Sequence, residues 1–151
     1  WLFDSFQGLP MPTQKDILID DIAGLKFIEK YAGTMASPSR CVIDRLKALT
    51  FPLHRVHIVP GFIEKTSKSA KLPDSICFAF VDFDFYEPIK IALELIHERI
   101  PAGGCIVVDD YGRFSAGAQT ATDEFFEGHR QQYEIKFPLP FVRGFVMLRK
   151  K

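Results

Sequence analysis

Aspartates stand at the ends of apolar runs in this chain, and their spacing is what could do chemistry. Phe3-Asp4, Val81-Asp82 and Val108-Asp109-Asp110 each close a hydrophobic stretch, and Asp84 follows Asp82 by two residues. Residues two apart in extended chain point to the same side, so Asp82 and Asp84 can face one ligand. Asp109 and Asp110 are adjacent and can serve one ion only where a strand gives way to a loop. Carboxylate oxygens suit Mg2+ or a similar hard dication, which keeps coordination sites for water or substrate. A single aspartate at a strand end commonly just caps a turn or helix. The double aspartate and the Asp-x-Asp together favour a metal site. Asp4 has a separate candidate role, because an acid ending an early strand of a nucleotide-binding sheet often accepts hydrogen bonds from ribose.

These acids meet only if the runs that carry them are parallel strands, since ligands of open α/β sheets sit outside the carboxyl ends of the strands. The pattern fits: apolar runs alternate with helical periodicity, as in an α/β domain with a mostly parallel sheet. Strands are expected at Trp1–Phe3, Arg55–Val59, Ile76–Val81 and Cys105–Val108, and again at Tyr133–Leu139 and Phe141–Leu148, joined around Pro140. Arg143-Gly144 reads as a bulge or turn. Ile76–Val81 is nearly all apolar, as for a strand covered on both faces. Helices are expected over residues 14–31, from Ser37-Pro38 with serine as cap, from Pro88 to Ile100, and from Ala118 to His129. Lys65, Lys68 and Lys71 mark a solvated loop. No repeat or low-complexity segment is seen.

The totals exclude several classes of partner. Nineteen basic and nineteen acidic residues cancel, which leaves no footprint for nucleic acid or an anionic membrane. No stretch approaches the ~20 apolar residues of a membrane helix. A small-molecule ligand is the default. Cys41, Cys77 and Cys105 are odd in number and widely spaced; buried, reduced thiols and a cytoplasmic location are expected. His54, His57, His97 and His129 show no ligand spacing. The chain opens at Trp1, already inside a strand-like run, so residues 1–151 read as the carboxyl-terminal part of one domain.

Ordered motifs then add a resemblance. Phe3-Asp4-Ser5-Phe6-Gln7-Gly8-Leu9-Pro10, Val59-Pro60-Gly61-Phe62, Val81-Asp82-Phe83-Asp84-Phe85-Tyr86, Gly103-Gly104 through Asp109-Asp110-Tyr111-Gly112, and Asp123-Glu124-Phe125 occur in sequence. In that order they resemble the macrocin O-methyltransferase (TylF-like) family across nearly the whole chain. The resemblance implies a class I methyltransferase fold: a Rossmann-like three-layer α/β sandwich, here lacking the first strand and its glycine-rich loop. It also implies S-adenosylmethionine as methyl donor, Mg2+, and a sugar or natural-product hydroxyl as acceptor. Carried over by position, Asp82, Asp109 and Asp110 would be metal ligands and Asp84 the general base. Asp4, with Ser5 beside it, would meet the ribose, and Gly61 and Phe62 would lie near the adenine. Related catechol-type enzymes carry a lysine three positions after the metal-binding aspartate; here Phe85 stands there, which favours Asp84 as the base.

The absent strand would lie between the strands ending in Asp4 and Asp82, leaving these ~10 Å apart or forcing them to pair directly. Two other readings fit parts of the sequence. One is a noncatalytic fragment or assembly module with an exposed sheet edge, which could form a homo-oligomer. The other is a nucleotide-dependent oxidoreductase, which lacks a glycine fingerprint here and leaves Asp109-Asp110 unexplained. Tyr111 and Phe114 are candidates for an acceptor pocket or for aromatic packing.

Overall fold

Short runs of β-branched and aromatic residues become the strands of a computed structural model that describes residues 1–137 and 144–151. The strands are β1 (Leu2–Asp4), β2 (Ile58–Pro60), β3 (Phe78–Val81), β4 (Cys105–Tyr111), β5 (Tyr133–Lys136) and β6 (Gly144–Lys150). The helices are α1 (Ser39–Ala48), α2 (Ile63–Thr66), α3 (Tyr86–Ile96) and α4 (Ala116–His129). β1 and β2 form a parallel pair, while the other strands form a sheet in the order β3-β4-β6-β5. β3 and β4 are parallel, and β6 runs antiparallel to both its neighbours, so β5 shares the direction of β3 and β4.

β1 and β3 are not hydrogen-bonded to each other. A cavity of about 540 Å³ separates them, lined by Trp1 to Phe3 on one side and Phe78 to Val81 on the other. It lies where the sequence leads one to expect the absent strand. Trp1 still reaches across, its indole N–H donating to the Lys71 carbonyl at 2.8 Å.

The main core lies between one face of the four-stranded sheet and the α3–α4 layer. Ile89, Leu93 and Ile96 of α3 and Ala118, Ala121 and Phe125 of α4 meet Ile106, Val108, Val146 and Leu148 of the sheet. Each apolar set repeats at helical or strand spacing, so a single face of every element is covered. The opposite face of β3 is open: Phe78 and Phe80 are about half exposed, which corrects the expectation of a strand covered on both faces. Cys41 and Cys77 are exposed and Cys105 half-buried; all three are free thiols, but none is in the core.

The expected helix over residues 14–31 is absent. Ile17, Ile19 and Ile22 face solvent, and only Ile28–Tyr31 forms a single 3-10 turn. Aspartate side chains outcompete the helical ladder here: Asp21 accepts from the Leu25 and Lys26 amides and from the Tyr31 hydroxyl. This irregular strap closes a small second core, in which Tyr31, Phe85 and Phe114 pack with Ile28. Helix α1 starts one residue later than expected, with Pro38 rather than Ser37 at its cap position and no side-chain cap bond. Helix α3 starts earlier, at Tyr86, and α4 at Ala116, where the Ser115 hydroxyl accepts from the Gly117 amide. The turn expected around Pro140, with Arg143, lies outside the described residues.

Asp16 ties the strap to both helices. It is buried, and one carboxylate oxygen accepts from the Tyr86 amide at 2.7 Å and the Ser115 hydroxyl at 3.2 Å. The other oxygen accepts from the Thr13 amide at 2.7 Å and its hydroxyl at 2.8 Å. An added Cβ at Gly117 would collide with the same carboxylate, so glycine is required for this approach. Removing the acceptor strands buried donors at the starts of α3 and α4. Asp16→Ala should therefore cost about 3 kcal/mol of stability, measured by urea unfolding; a loss below the error of that measurement would show that the strap is not held this way.

Candidate active site

The carboxyl ends of β1, β3 and β4 carry the aspartates to one rim. Asp4 ends β1, Asp82 follows β3, and Asp109 and Asp110 lie near the end of β4. Oxygen atoms of Asp82, Asp84 and Asp110 lie within 4.8 Å of one another, a spacing that one cation can bridge. Asp109 is turned differently: one of its oxygens accepts from the Asp110 amide at 2.8 Å. The structure thus gathers Asp82 and Asp110 with Asp84, and sets Asp109 beside them with one oxygen engaged.

The backbone that presents these acids is bent against its ordinary preference. Asp84 has φ +62° and Asp110 φ +54°, both in the left-handed region. Around Asp84 the Phe85 amide bonds back to the Phe83 carbonyl at 2.6 Å, a three-residue turn. At Asp110 the β4–β6 register shifts between Asp109 and Tyr111, a bulge that frees the acid from the ladder. Aspartate tolerates such φ values better than most side chains, but they still cost of order 1 kcal/mol or more each. Neighbouring anchors hold the bends. Phe85 is buried in the second core, the Tyr86 hydroxyl donates to Glu124 at 2.6 Å, and the Tyr111 hydroxyl donates to Asp123 at 2.6 Å. Burial and the Asp123 contact push the Tyr111 hydroxyl up to about 12. Lys15 completes the first anchor, 2.6 Å from Glu124 and 2.8 Å from the Tyr86 hydroxyl.

Crowding shows in the proton affinities. Burial, then the charges of Asp82 and Asp110, push the Asp84 carboxyl up to about 8. Asp82 rises to about 6, from partial burial first and then Asp109, Asp110 and Asp4. Asp110 is also raised, by burial and Asp109, while the Asp84 contact and Arg113 pull it down. Burial and the neighbouring charges thus favour the protonated form of Asp84 in the metal-free chain. Three clustered oxygens that bind protons this readily suit a hard dication, whose charge would relieve the same repulsion.

Beside the acids lies a cavity of about 270 Å³, lined by Asp4, Ser5, Phe62, Glu64, Asp82 and Asp84 among others. Within it Asp4 already accepts from the Phe6 amide at 2.7 Å. The Ser5 hydroxyl closes its own loop by donating to the Gly8 carbonyl at 2.7 Å. Gly61, at φ +123°, turns the chain from β2 toward Phe62, and its amide donates to the Asp4 carbonyl. Glu64 was missed by sequence reasoning. One of its carboxylate oxygens is buried without a hydrogen-bond partner among the described residues, at a cavity wall. A lone glutamate in a short polar helix gives no signal until the fold brings it to the cavity that Asp4 also lines. Phe114, by contrast, is fully buried against Tyr31 and Phe85 and belongs to the packing, not the cavity.

An α/β sheet with a split at its centre and acids at its strand ends is a Rossmann-like fold of the class I methyltransferase type, and solved structures share it. The O-methyltransferase NovP superposes with a TM-score of 0.79 at 23% identity, covering 100% of this chain and 59% of that one. CalS11, a calicheamicin methyltransferase, gives 0.63 at 21% identity, covering 97% and 58%. In sequence, a tetracenomycin-pathway rhamnosyl 4'-O-methyltransferase of Streptomyces olivaceus is 26% identical over 144 residues, 95% of this chain and 51% of its own length. Demethyldecarbamoylnovobiocin O-methyltransferase of Streptomyces niveus is 26% identical over 127 residues, 83% and 46% respectively. Residues 1–148 match the macrocin-O-methyltransferase (TylF) family, and the chain belongs to it. It spans about half the length of these curated relatives.

The raised acids fix the sign of a pH effect. Between the ordinary carboxylate value of 3.8 and about 8, the folded chain holds a proton on Asp84 that the unfolded chain has released. That contribution is fully present below 3.8 and lost as pH climbs through about 8. The metal-free chain should thus unfold more easily at pH 8 than at pH 5, and Asp84→Asn should flatten the trend. Urea midpoints across this range, with chelator present, decide it; a wild-type midpoint that rises with pH would contradict the proton assignment.

Proposed function

We propose that this chain forms the acceptor side, and part of the donor pocket, of an S-adenosylmethionine-dependent O-methyltransferase acting on a hydroxyl of a sugar or natural product. The observation that carries the reading is the convergence of Asp82, Asp84 and Asp110 beside the cavity that holds Asp4. Family membership supports the reaction class, and the relatives named for a rhamnosyl-tetracenomycin and for demethyldecarbamoylnovobiocin support the acceptor class.

Methyl transfer from a sulfonium is an in-line displacement: the acceptor oxygen forms a bond to the methyl carbon as the carbon–sulfur bond breaks and its electron pair stays on sulfur. Alignment of the acceptor supplies much of the rate. Asp82 and Asp110, with the second oxygen of Asp109 beside them, are the residues to hold Mg2+, which when bound would orient neighbouring acceptor oxygens and make the hydroxyl more acidic. With a dication on the neighbouring acids relieving their repulsion, Asp84 would stand ionised at the cavity wall, where one of its oxygens takes the hydroxyl proton. Asp4 and Glu64 offer acceptors for ribose or amino hydrogens of the donor, with Phe62 as an apolar wall. The cleft between β1 and β3 leaves the donor pocket one-sided within these residues.

The same cleft favours a second reading, in which the free edges of β1 and β3 make the chain an assembly module without activity of its own. Calorimetry with S-adenosylhomocysteine, with and without Mg2+, separates the two when run on this chain and on a version extended upstream. The enzyme reading expects tight binding to the extended protein and weaker binding here; no binding to either would defeat it. In the extended protein Asp84→Asn should lower turnover by about 100-fold or more while Mg2+ still binds, and near-normal turnover would remove Asp84 from the mechanism. Glu64→Gln should raise the donor KM more than it lowers kcat; unchanged donor affinity would leave Glu64 outside the site.

A further inference from the structure

Far from the acidic rim, the last turns of α3 and α4 bring two imidazoles and a carboxylate together. His97 is the C-cap residue of α3, and His129 is the final residue of α4. Their ring centroids are 4.5 Å apart. The Nε2 atom of His97 is 3.8 Å from a carboxylate oxygen of Glu94, one turn earlier on α3. One donor atom from each of Glu94, His97 and His129 lies within 4.8 Å of the other two.

We propose that Glu94, His97 and His129 form a second metal site, with two imidazole ligands and one carboxylate, that takes Zn2+ or a similar borderline transition ion. Three further observations support it. The Nδ1 atom of His129 is 2.8 Å from the Phe125 carbonyl, so that nitrogen carries the proton and Nε2 is left as a free lone pair. Metal-binding histidines are oriented in this manner by their second nitrogen. The Nδ1 atom of His97 is buried with no hydrogen-bond partner among the described residues, and its Nε2 stands 3.8 Å from Glu94, so the fold leaves a nitrogen lone pair of this ring available to an ion. Both helices also end here, and helix carboxyl ends carry partial negative charge that favours a cation.

Two imidazoles and one carboxylate select a borderline ion over Mg2+, which prefers an all-oxygen shell. Phe125 stacks on His129 at 4.3 Å and lies edge-on to His97 at 5.7 Å, walling the site on its inner side. Glu94 is half exposed, so the outer side stays open to water as a further ligand. A neighbouring cation, Lys150, is occupied: its ammonium is 2.6 Å from the Gln132 side-chain oxygen and 3.4 Å from the His97 carbonyl. An ion here would pin the ends of the two helices whose first turns set the acidic rim.

The test is zinc binding by the chelator-treated chain, followed by competition with a chromogenic zinc chelator. An Asp82→Asn/Asp110→Asn background silences the rim. One equivalent of Zn2+ should bind, raise the thermal midpoint and resist millimolar Mg2+. Loss of an outer-shell partner alone can cost up to ~100-fold in affinity, so His129→Gln and Glu94→Gln, both at partly exposed positions, should each cost at least about that. Co2+ should give the visible absorption of a nitrogen–oxygen site of low coordination number. No saturable Zn2+ uptake, or uptake unchanged in both variants, would overturn the assignment.

Discussion

Mutual repulsion among carboxylates is the constraint around which this molecule is built. Asp4, Asp82, Asp84, Asp109 and Asp110 come to one rim, and burial together with this crowding makes each of Asp82, Asp84 and Asp110 bind a proton more readily. Left to itself such a cluster would open. What prevents this is a scaffold attached immediately behind each acid. The buried Asp16 carboxylate grips the starts of α3 and α4, and Phe85 and Phe114 sink into the small core beneath the 14–31 strap. The residues next to the acids are thus among the most firmly packed in the chain.

That arrangement explains why irregular structure carries so much of the architecture. The strap lacks helices beyond one 3-10 turn, yet its Asp16 and Asp21 accept bonds that a helix would have kept within its own backbone. Side-chain acceptors of this kind compete with regular structure and replace it. The result is a segment whose own shape is irregular but whose contacts orient two helices and the turns before them.

Much of this was legible in the residues. Continuous apolar runs ending in aspartate located β1, β3 and β4 and the rim they share, because strand direction alone brings such ends together. The gap between β1 and β3 follows from the family resemblance, which places a further strand between them and left separation or direct pairing open; here the two do not pair. Other features depend on neighbours remote in sequence. Ile17, Ile22, Leu25 and Ile28 carry near-helical spacing, but Asp21 captures the local amides and the segment never winds. Phe78 and Phe80 look like core residues, yet in the fold both are about half exposed. Glu64, and the pairing of His97 with His129, are products of the tertiary fold, and no spacing rule could have joined them.

Adjacent residues of α4 accept both tyrosine hydroxyls, from Tyr86 at Glu124 and from Tyr111 at Asp123. These contacts come from consecutive residues on a rigid rod, and the tyrosines sit two residues after Asp84 and one after Asp110. The two acid-bearing turns are therefore measured against a common ruler. Their separation is set before any ion arrives, so an incoming cation is selected by a distance it does not itself impose.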